Sequence, residues 1–163
     1  MQPLVVARPN MLMVGMGQAE SGRDKDRFSS ILGSCVAVCL YSRRQLAGAI
    51  AHIVMPNSQG TNAPPGKSVD TAIPHLLDLL ARDGILHREI EARIAGGASM
   101  FMMSPGGLQI GQTNIAASIE LLERHRIPIV GQETGGRKGR RIVFDCSDGR
   151  VAVEVIGESP RLI

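Results

Sequence analysis

The segment CVAVCLYSRRQLAGAIAHIV, residues 35–54, decides the fold class. Residues 35–41 are rich in β-branched and apolar side chains, which is typical of a strand. Residues 46–54 resume an apolar, mostly extended pattern after the polar break at residues 42–45. We therefore predict a β-hairpin with its loop at residues 42–45.

A symmetric loop gives this hairpin a register that pairs Tyr41 with Leu46 and Cys35 with His52. Directly opposed residues have Cβ atoms about 4.5–5.5 Å apart, which is close enough for a thiol to meet an imidazole. A slip of one residue would move the two side chains to opposite faces.

A thiol beside an imidazole has a chemical use, because the imidazole can take the proton that makes sulfur nucleophilic. Gly33 and Ser34 precede Cys35 and predict a tight turn whose backbone N–H groups hold an oxyanion. Together these groups indicate acyl transfer. The alternative is that Cys35 is a small buried apolar residue and His52 a satisfied core residue.

The remaining chain predicts two helices and several more strands. The first helix starts near Asp70 or Thr71 and ends at Gly84, and the second has Asn114 as its N-cap. The polar run from Ser21 to Arg27 predicts a surface loop. Further strand candidates are residues 11–17, 28–32, 127–130, 141–145 and 151–156. Many strands with two helices favour an α+β fold, with helices packed on a mostly antiparallel sheet system.

Length and composition fit one globular domain spanning residues 1–163. A net charge of +3 is too small to indicate nucleic-acid binding. Three cysteines at irregular spacing predict free thiols in a reducing cytoplasm, not a disulfide framework. We expect no signal peptide and no membrane insertion, since no apolar run approaches the ~20 residues that a spanning helix needs.

The spacing of the residues argues against two other candidate sites, a phosphate-binding loop and a zinc site. Residues 60–68 nearly match the phosphate-binding loop motif, but five residues separate the two glycines where the motif has four. Pro64 and Pro65 also lack the N–H donors that bind phosphate. Cys35 and Cys39 would lie ~13 Å apart on a strand, too far to share a zinc ion. We therefore expect neither a metal nor a cofactor, and we interpret Cys39 and Cys146 as structural.

Several short motifs lie between about Val14 and Val155. The first is Leu32–Val38, with His52 seventeen residues after the cysteine. The others are Val69–Pro74, Gly96–Phe101, Ile110-Gly111 with Asn114, and Gly135-Gly136 with Gly139-Arg140. In this order, these motifs resemble those of the CheD family.

This resemblance implies a glutamine deamidase of bacterial chemoreceptors, with a β-sandwich core and flanking helices. It implies that Cys35 is the nucleophile and His52 the general base. The family's third catalytic group is a Thr six residues before the Cys; Ser29 occupies that position, and Ser30 beside it is an alternative.

The implied substrates are the cytoplasmic domains of chemoreceptors, and a CheC-type phosphatase is a possible partner. Two other activities stay open: a non-catalytic regulator that binds such a phosphatase, and a transglutaminase that uses the same thioester.

The run Arg137 to Arg141 carries four cationic residues in five positions. We predict that this basic loop steers acidic receptor helices, with Lys138 and Arg140 as the residues to test. A plain solvated loop is the alternative.

Overall fold

The computed structural model describes residues 11–99 and 110–163, which form two five-stranded sheets and two α-helices. In spatial order, sheet A contains β1 (Met11–Met13), β3 (Arg27–Leu32), β8 (Arg140–Asp145), β9 (Val151–Val155) and β10 (Arg161–Leu162). Sheet B contains β2 (Ala19–Arg23), β5 (Ala47–Ile53), β4 (Val36–Ser42), β6 (Ile90–Gly96) and β7 (Ile129–Thr134). The pairs β1–β3 and β6–β7 are parallel and the other described pairs are antiparallel.

The central strands of sheet B are buried on both faces, which explains the continuous apolar run in β4. Val36, Val38 and Leu40 pack in one core with the two helices, α1 (Val69–Arg82) and α2 (Ile110–Arg124). The alternate residues Ala37, Cys39 and Tyr41 pack in a second core against sheet A. The layers are therefore helices, sheet B and sheet A, and the predicted α+β sandwich with flanking helices is confirmed.

Aromatic side chains hold the two sheets together. The ring of Phe144 lies with its centroid 6.3 Å from that of Phe28 in sheet A and 6.1 Å from that of Tyr41 in sheet B. The Tyr41 hydroxyl donates a hydrogen bond of 2.9 Å to the carbonyl of Cys146. The sandwich core thus places Phe28, Tyr41 and Phe144 where the two sheets meet.

The predicted hairpin exists, but its register is shifted by two residues. Ser42 pairs with Ala47, and Ala37 pairs with His52. Leu46 belongs to the loop and takes a left-handed φ of 48°, which sequence does not suggest for a leucine. The predicted pairs of Tyr41 with Leu46 and of Cys35 with His52 are therefore wrong. Because the shift is two residues, Cys35 and His52 still share a face.

Other predictions differ in detail. Part of the predicted loop at residues 21–27 belongs to β2 and β3, and β6 was not predicted, since Glu91 and Arg93 make its sequence polar. Asn114 lies inside α2 and not at its N-cap. Met100 and Phe101 of the resembling motifs lie outside the described residues. None of the described helices is long and apolar enough to cross a membrane.

Candidate active site

Cys35 lies at one end of the sandwich, in the turn between β3 and β4. It is 7% exposed and shares the face of Ala37, which pairs with His52. Cys35 is therefore a diagonal neighbour of His52, and such neighbours lie roughly 7–8 Å apart, within reach of long side chains. The structure brings the two predicted catalytic residues to one end of one face.

The His52 ring has a defined tautomer. Its Nδ1 lies 3.0 Å from the carbonyl oxygen of Val14, which can only accept a hydrogen bond. Nδ1 therefore carries the hydrogen, and Nε2 carries the lone pair. Among residues 11–99 and 110–163, Nε2 is buried without a hydrogen-bond partner. The ring thus presents a free basic nitrogen on the face that holds Cys35.

The connection between β1 and β2 forms a cradle for His52 that the sequence did not predict. The N–H of Gly17 donates to the His52 carbonyl at 2.9 Å, and the N–H of His52 donates to the Gln18 carbonyl at 3.0 Å. With the Val14 contact, three hydrogen bonds fix both the backbone and the ring of His52. Residues 11–17 were predicted as a continuous strand, which hid this role.

Ser30 contacts the same cradle. Its Oγ donates to the Val14 carbonyl at 2.7 Å, so Ser30 and His52 share one acceptor. Alternation along β3 places Ser29 on the opposite face from Phe28 and Ser30. The hydrogen-bond pattern therefore favours Ser30, and the role of Ser29 stays a prediction from resemblance.

The turn before Cys35 is anchored through its carbonyl groups. The Gly33 carbonyl accepts from the N–H of Ala98 at 2.9 Å, and the Cys35 carbonyl accepts from the N–H of Gly97 at 2.8 Å. Within the described parts of the chain, the N–H groups of Ser34 and Cys35 have no acceptor. Such N–H groups are suited to hold a developing oxyanion.

This anchoring requires glycine at two positions. Gly96 has a φ of 103°, and a Cβ there would lie 2.3 Å from the Cys35 carbonyl oxygen. Gly97 has a φ of 74°, and a Cβ there would lie 2.4 Å from the Ile115 side chain. Any larger residue would push the Cys35 turn or α2 away, which explains why the sequence has a glycine pair here.

Burial controls the protonation of both predicted catalytic groups. It raises the pKa of the Cys35 thiol above its usual value. It also lowers the pKa of His52, an effect that the hydrogen bond to the Val14 carbonyl partly offsets. At neutral pH both groups are therefore neutral, and the pair is suited to proton transfer during attack.

The basic loop differs from the prediction at Arg140, whose guanidinium is buried. It bonds the Glu133 carboxylate at 2.8 Å and also donates to the carbonyls of Gly135 and Lys138. Arg140 therefore holds the loop together and does not lie on the exposed surface of the loop, where the prediction placed it. Arg137 and Lys138 are exposed and keep the predicted role of steering a partner.

Comparison with known proteins gives the family. The family model described as "CheD chemotactic sensory transduction" matches residues 54–155. A "Probable chemoreceptor glutamine deamidase CheD" from Methanococcus vannielii is 38% identical over 144 residues, which cover 88% of this chain and 94% of that relative. A protein of the same description from Clostridium novyi is 40% identical over 136 residues, covering 81% and 84% of the two chains.

Among solved structures, the Bacillus licheniformis hypothetical protein YfiH aligns with a TM-score of 0.45 at 13% identity, over 71% of this chain and 49% of that one. This likeness is too weak to support a conclusion about function. The family model and the curated relatives are sufficient by themselves: this chain belongs to the CheD family.

Proposed function

We propose that this chain is a cytoplasmic deamidase that converts glutamine side chains of chemoreceptors to glutamate and releases ammonia, in one domain spanning residues 1–163. The curated relatives are named for this activity. The observation that carries the proposal is Nε2 of His52, which lies on the face that holds Cys35 and has no hydrogen-bond partner within the described part of the chain.

The first step uses Cys35 as the nucleophile. As its Sγ attacks the δ-carbonyl carbon of a receptor glutamine, Nε2 of His52 takes the thiol proton. The carbonyl π electrons move to oxygen, and the N–H groups of Ser34 and Cys35 stabilise the resulting oxyanion. The neutral ground state of both groups supports transfer of the proton in the attack itself.

The intermediate then collapses. The C–N bond breaks as protonated His52 gives its proton to the leaving nitrogen, so that ammonia departs and a thioester on Cys35 remains. Water attacks the thioester while His52 accepts its proton. The C–S bond breaks, glutamate leaves, and His52 returns the proton to the Cys35 sulfur.

A third group would hold the ring of His52 during these transfers. The resemblance places this role on Ser29, whereas the shared Val14 carbonyl favours Ser30. Either serine would act through the orientation of His52 and not through substrate.

The proposal is tested by measuring ammonia release from a purified receptor cytoplasmic domain, with and without an added primary amine. A deamidase releases ammonia and leaves glutamate in both cases. If the amine is incorporated at the glutamine, the activity is a transglutaminase. No ammonia release from any receptor of the same organism would contradict the proposal.

Binding to a CheC-type phosphatase stays a prediction from the resemblance. Cys35→Ala separates the two roles, because it removes only the nucleophile. If this variant fully retains the protein's effect on chemotaxis, regulation through docking outweighs catalysis.

A further inference from the structure

We propose that Asn114 is a positioning residue that sets the distance between Cys35 and His52; the inference deepens the proposed function and rests on it. Asn114 lies in the second turn of α2 and is fully buried. Its Nδ2 donates to the Ser34 carbonyl at 3.1 Å and to the Val54 carbonyl at 3.0 Å. Ser34 precedes the nucleophile, and Val54 lies two residues beyond the base.

The orientation of the amide follows from its neighbours. Both carbonyl oxygens are acceptors, so Nδ2 must face them, and its two hydrogens are both used. The remaining Oδ1 is buried and has no partner among the described residues. A side chain that served only to pack α2 would not bury an unsatisfied oxygen here, since such burial costs free energy. The bridge between the two carbonyls accounts for the amide.

The helix brings Asn114 close enough through Gly111, one turn earlier. A Cβ at Gly111 would lie 2.5 Å from the Gly97 carbonyl oxygen, so only glycine allows this approach. Gly97 and Ala98 already tie the Cys35 turn to the end of β6. Asn114 adds the attachment to the end of β5. Without it the turn would keep its shape and β4 would stay paired with β5, but the Ser34 side of the turn would lose its hydrogen-bonded link to the end of β5.

The test compares Asn114→Ala with the matched control Ser118→Ala. Ser118 is also fully buried on α2, but its Oγ donates within the helix, to the Asn114 carbonyl at 2.7 Å, and not to either strand end among the described residues. Two readouts are measured: kcat and KM for receptor deamidation, and the rate at which iodoacetamide alkylates Cys35 as a function of pH.

We expect Asn114→Ala to lower kcat by about 100-fold with little change in KM, because a displacement of about 1 Å costs this much in a positioned site. The alkylation rate of Cys35 should also lose its dependence on the protonation of His52. Ser118→Ala should stay within about twofold of wild type in both readouts, since it leaves the bridge intact.

The nearly isosteric Asn114→Asp variant tests the role even where Asn114→Ala does not fold. Its carboxylate would face two carbonyl oxygens, and only the protonated acid can donate to one of them. The ratio of its Cys35 alkylation rate to that of wild type should therefore rise as pH falls. A ratio that is flat with pH would count against the bridge.

Alkylation needs no receptor, so the two proposals fail separately. Absence of ammonia release by wild type would overturn the deamidase function and leave the alkylation comparison interpretable. Wild-type alkylation rates at every pH in folded Asn114→Ala, or an equal loss in Ser118→Ala, would overturn the positioning role.

Discussion

Cys35 at the end of the sandwich and Cys39 in its middle share one face of one sheet and differ in their surroundings. Cys39 is 2% exposed and lies opposite Ile50 and Arg93. Cys35 lies just before β4, near His52, in a turn where the N–H groups of Ser34 and Cys35 have no acceptor among the residues that the structure describes. Burial raises the pKa of both thiols, and much further for Cys39. The comparison teaches that position at the end of the sheet, not residue type, decides whether a thiol lies near an imidazole and a backbone turn.

Removing either of the two proposed catalytic groups should have the largest effect. We expect Cys35→Ala and His52→Ala each to lower the deamidation rate by about 10⁴-fold or more, with little further loss in the double variant, because the pair acts as a unit. Cys39→Ala removes the same atom from the same face and should keep near wild-type activity, at a cost of about 1 kcal/mol of stability. Activity assays measure the deamidation rates, and denaturant unfolding measures the stability. Robust activity in Cys35→Ala or in His52→Ala would refute the mechanism.

Thiol labelling sharpens the same contrast. Cys35 should react with iodoacetamide about 100-fold faster than Cys39 or Cys146, because those two thiols are more deeply buried and have more strongly raised pKa values than Cys35. Burial, with nearby Asp26 and Asp145, raises the pKa of Cys146 to about 12. Peptide mass mapping after brief labelling gives the rates. If Cys39 or Cys146 is modified before Cys35, Cys35 is not the most reactive thiol and the prediction is wrong.

The pH dependence of both deamidation and stability should follow the protonation of His52. Because burial lowers its pKa below 6.5, activity should hold through neutral pH and fall about tenfold per unit only below the lowered pKa. The unfolded state binds the extra proton first, so the free energy of unfolding should fall as pH drops from 6.5 towards the lowered value and then level off. His52→Gln should lack this stability change in denaturant titrations. An acid limb above pH 6.5 would contradict the assignment.

A smaller effect should separate the two serines of β3. Ser30→Ala removes the hydroxyl that shares the Val14 carbonyl with His52 and should lower kcat about fivefold to tenfold. Ser29→Ala is the matched control and should have less effect. Steady-state kinetics on one receptor decide the matter, and the opposite ranking would return the role to Ser29, as the resemblance predicts.

The smallest effect should come from the exposed part of the basic loop. Lys138→Glu should slow receptor binding about threefold at low ionic strength and have little effect at high salt, because steering by surface charge is screened. Lys25→Glu makes the same charge change in the turn at the opposite end of β3 and should leave binding unaltered. Equal slowing by both variants would show that only net charge matters.

Local patterns were enough for much of the fold and for the shared face of the site. Continuous apolar residues predicted the β4–β5 hairpin, and the spacing of leucines predicted α1 within two residues of its observed bounds. Cys35 and His52 were placed on one face despite the wrong register, since a shift of two residues preserves the alternation of side chains.

The features that the sequence did not predict depend on contacts between distant segments. A buried Arg140 looks like any exposed arginine until Glu133 and the loop carbonyls surround it. Val14 acts through its carbonyl oxygen, which any residue type supplies. Asparagine is a common N-cap residue, which is why the sequence suggested that role for Asn114. The packing of α2 on Gly97 instead lets its side chain bridge the carbonyls of Ser34, just before β4, and Val54, just after β5.

The most direct test of the central claim is mass mapping of a receptor cytoplasmic domain after incubation with wild type, Cys35→Ala or Cys39→Ala. The account predicts that specific glutamines become glutamates with wild type and with Cys39→Ala, and stay glutamines with Cys35→Ala. Conversion by Cys35→Ala, or loss of conversion only in Cys39→Ala, would contradict it.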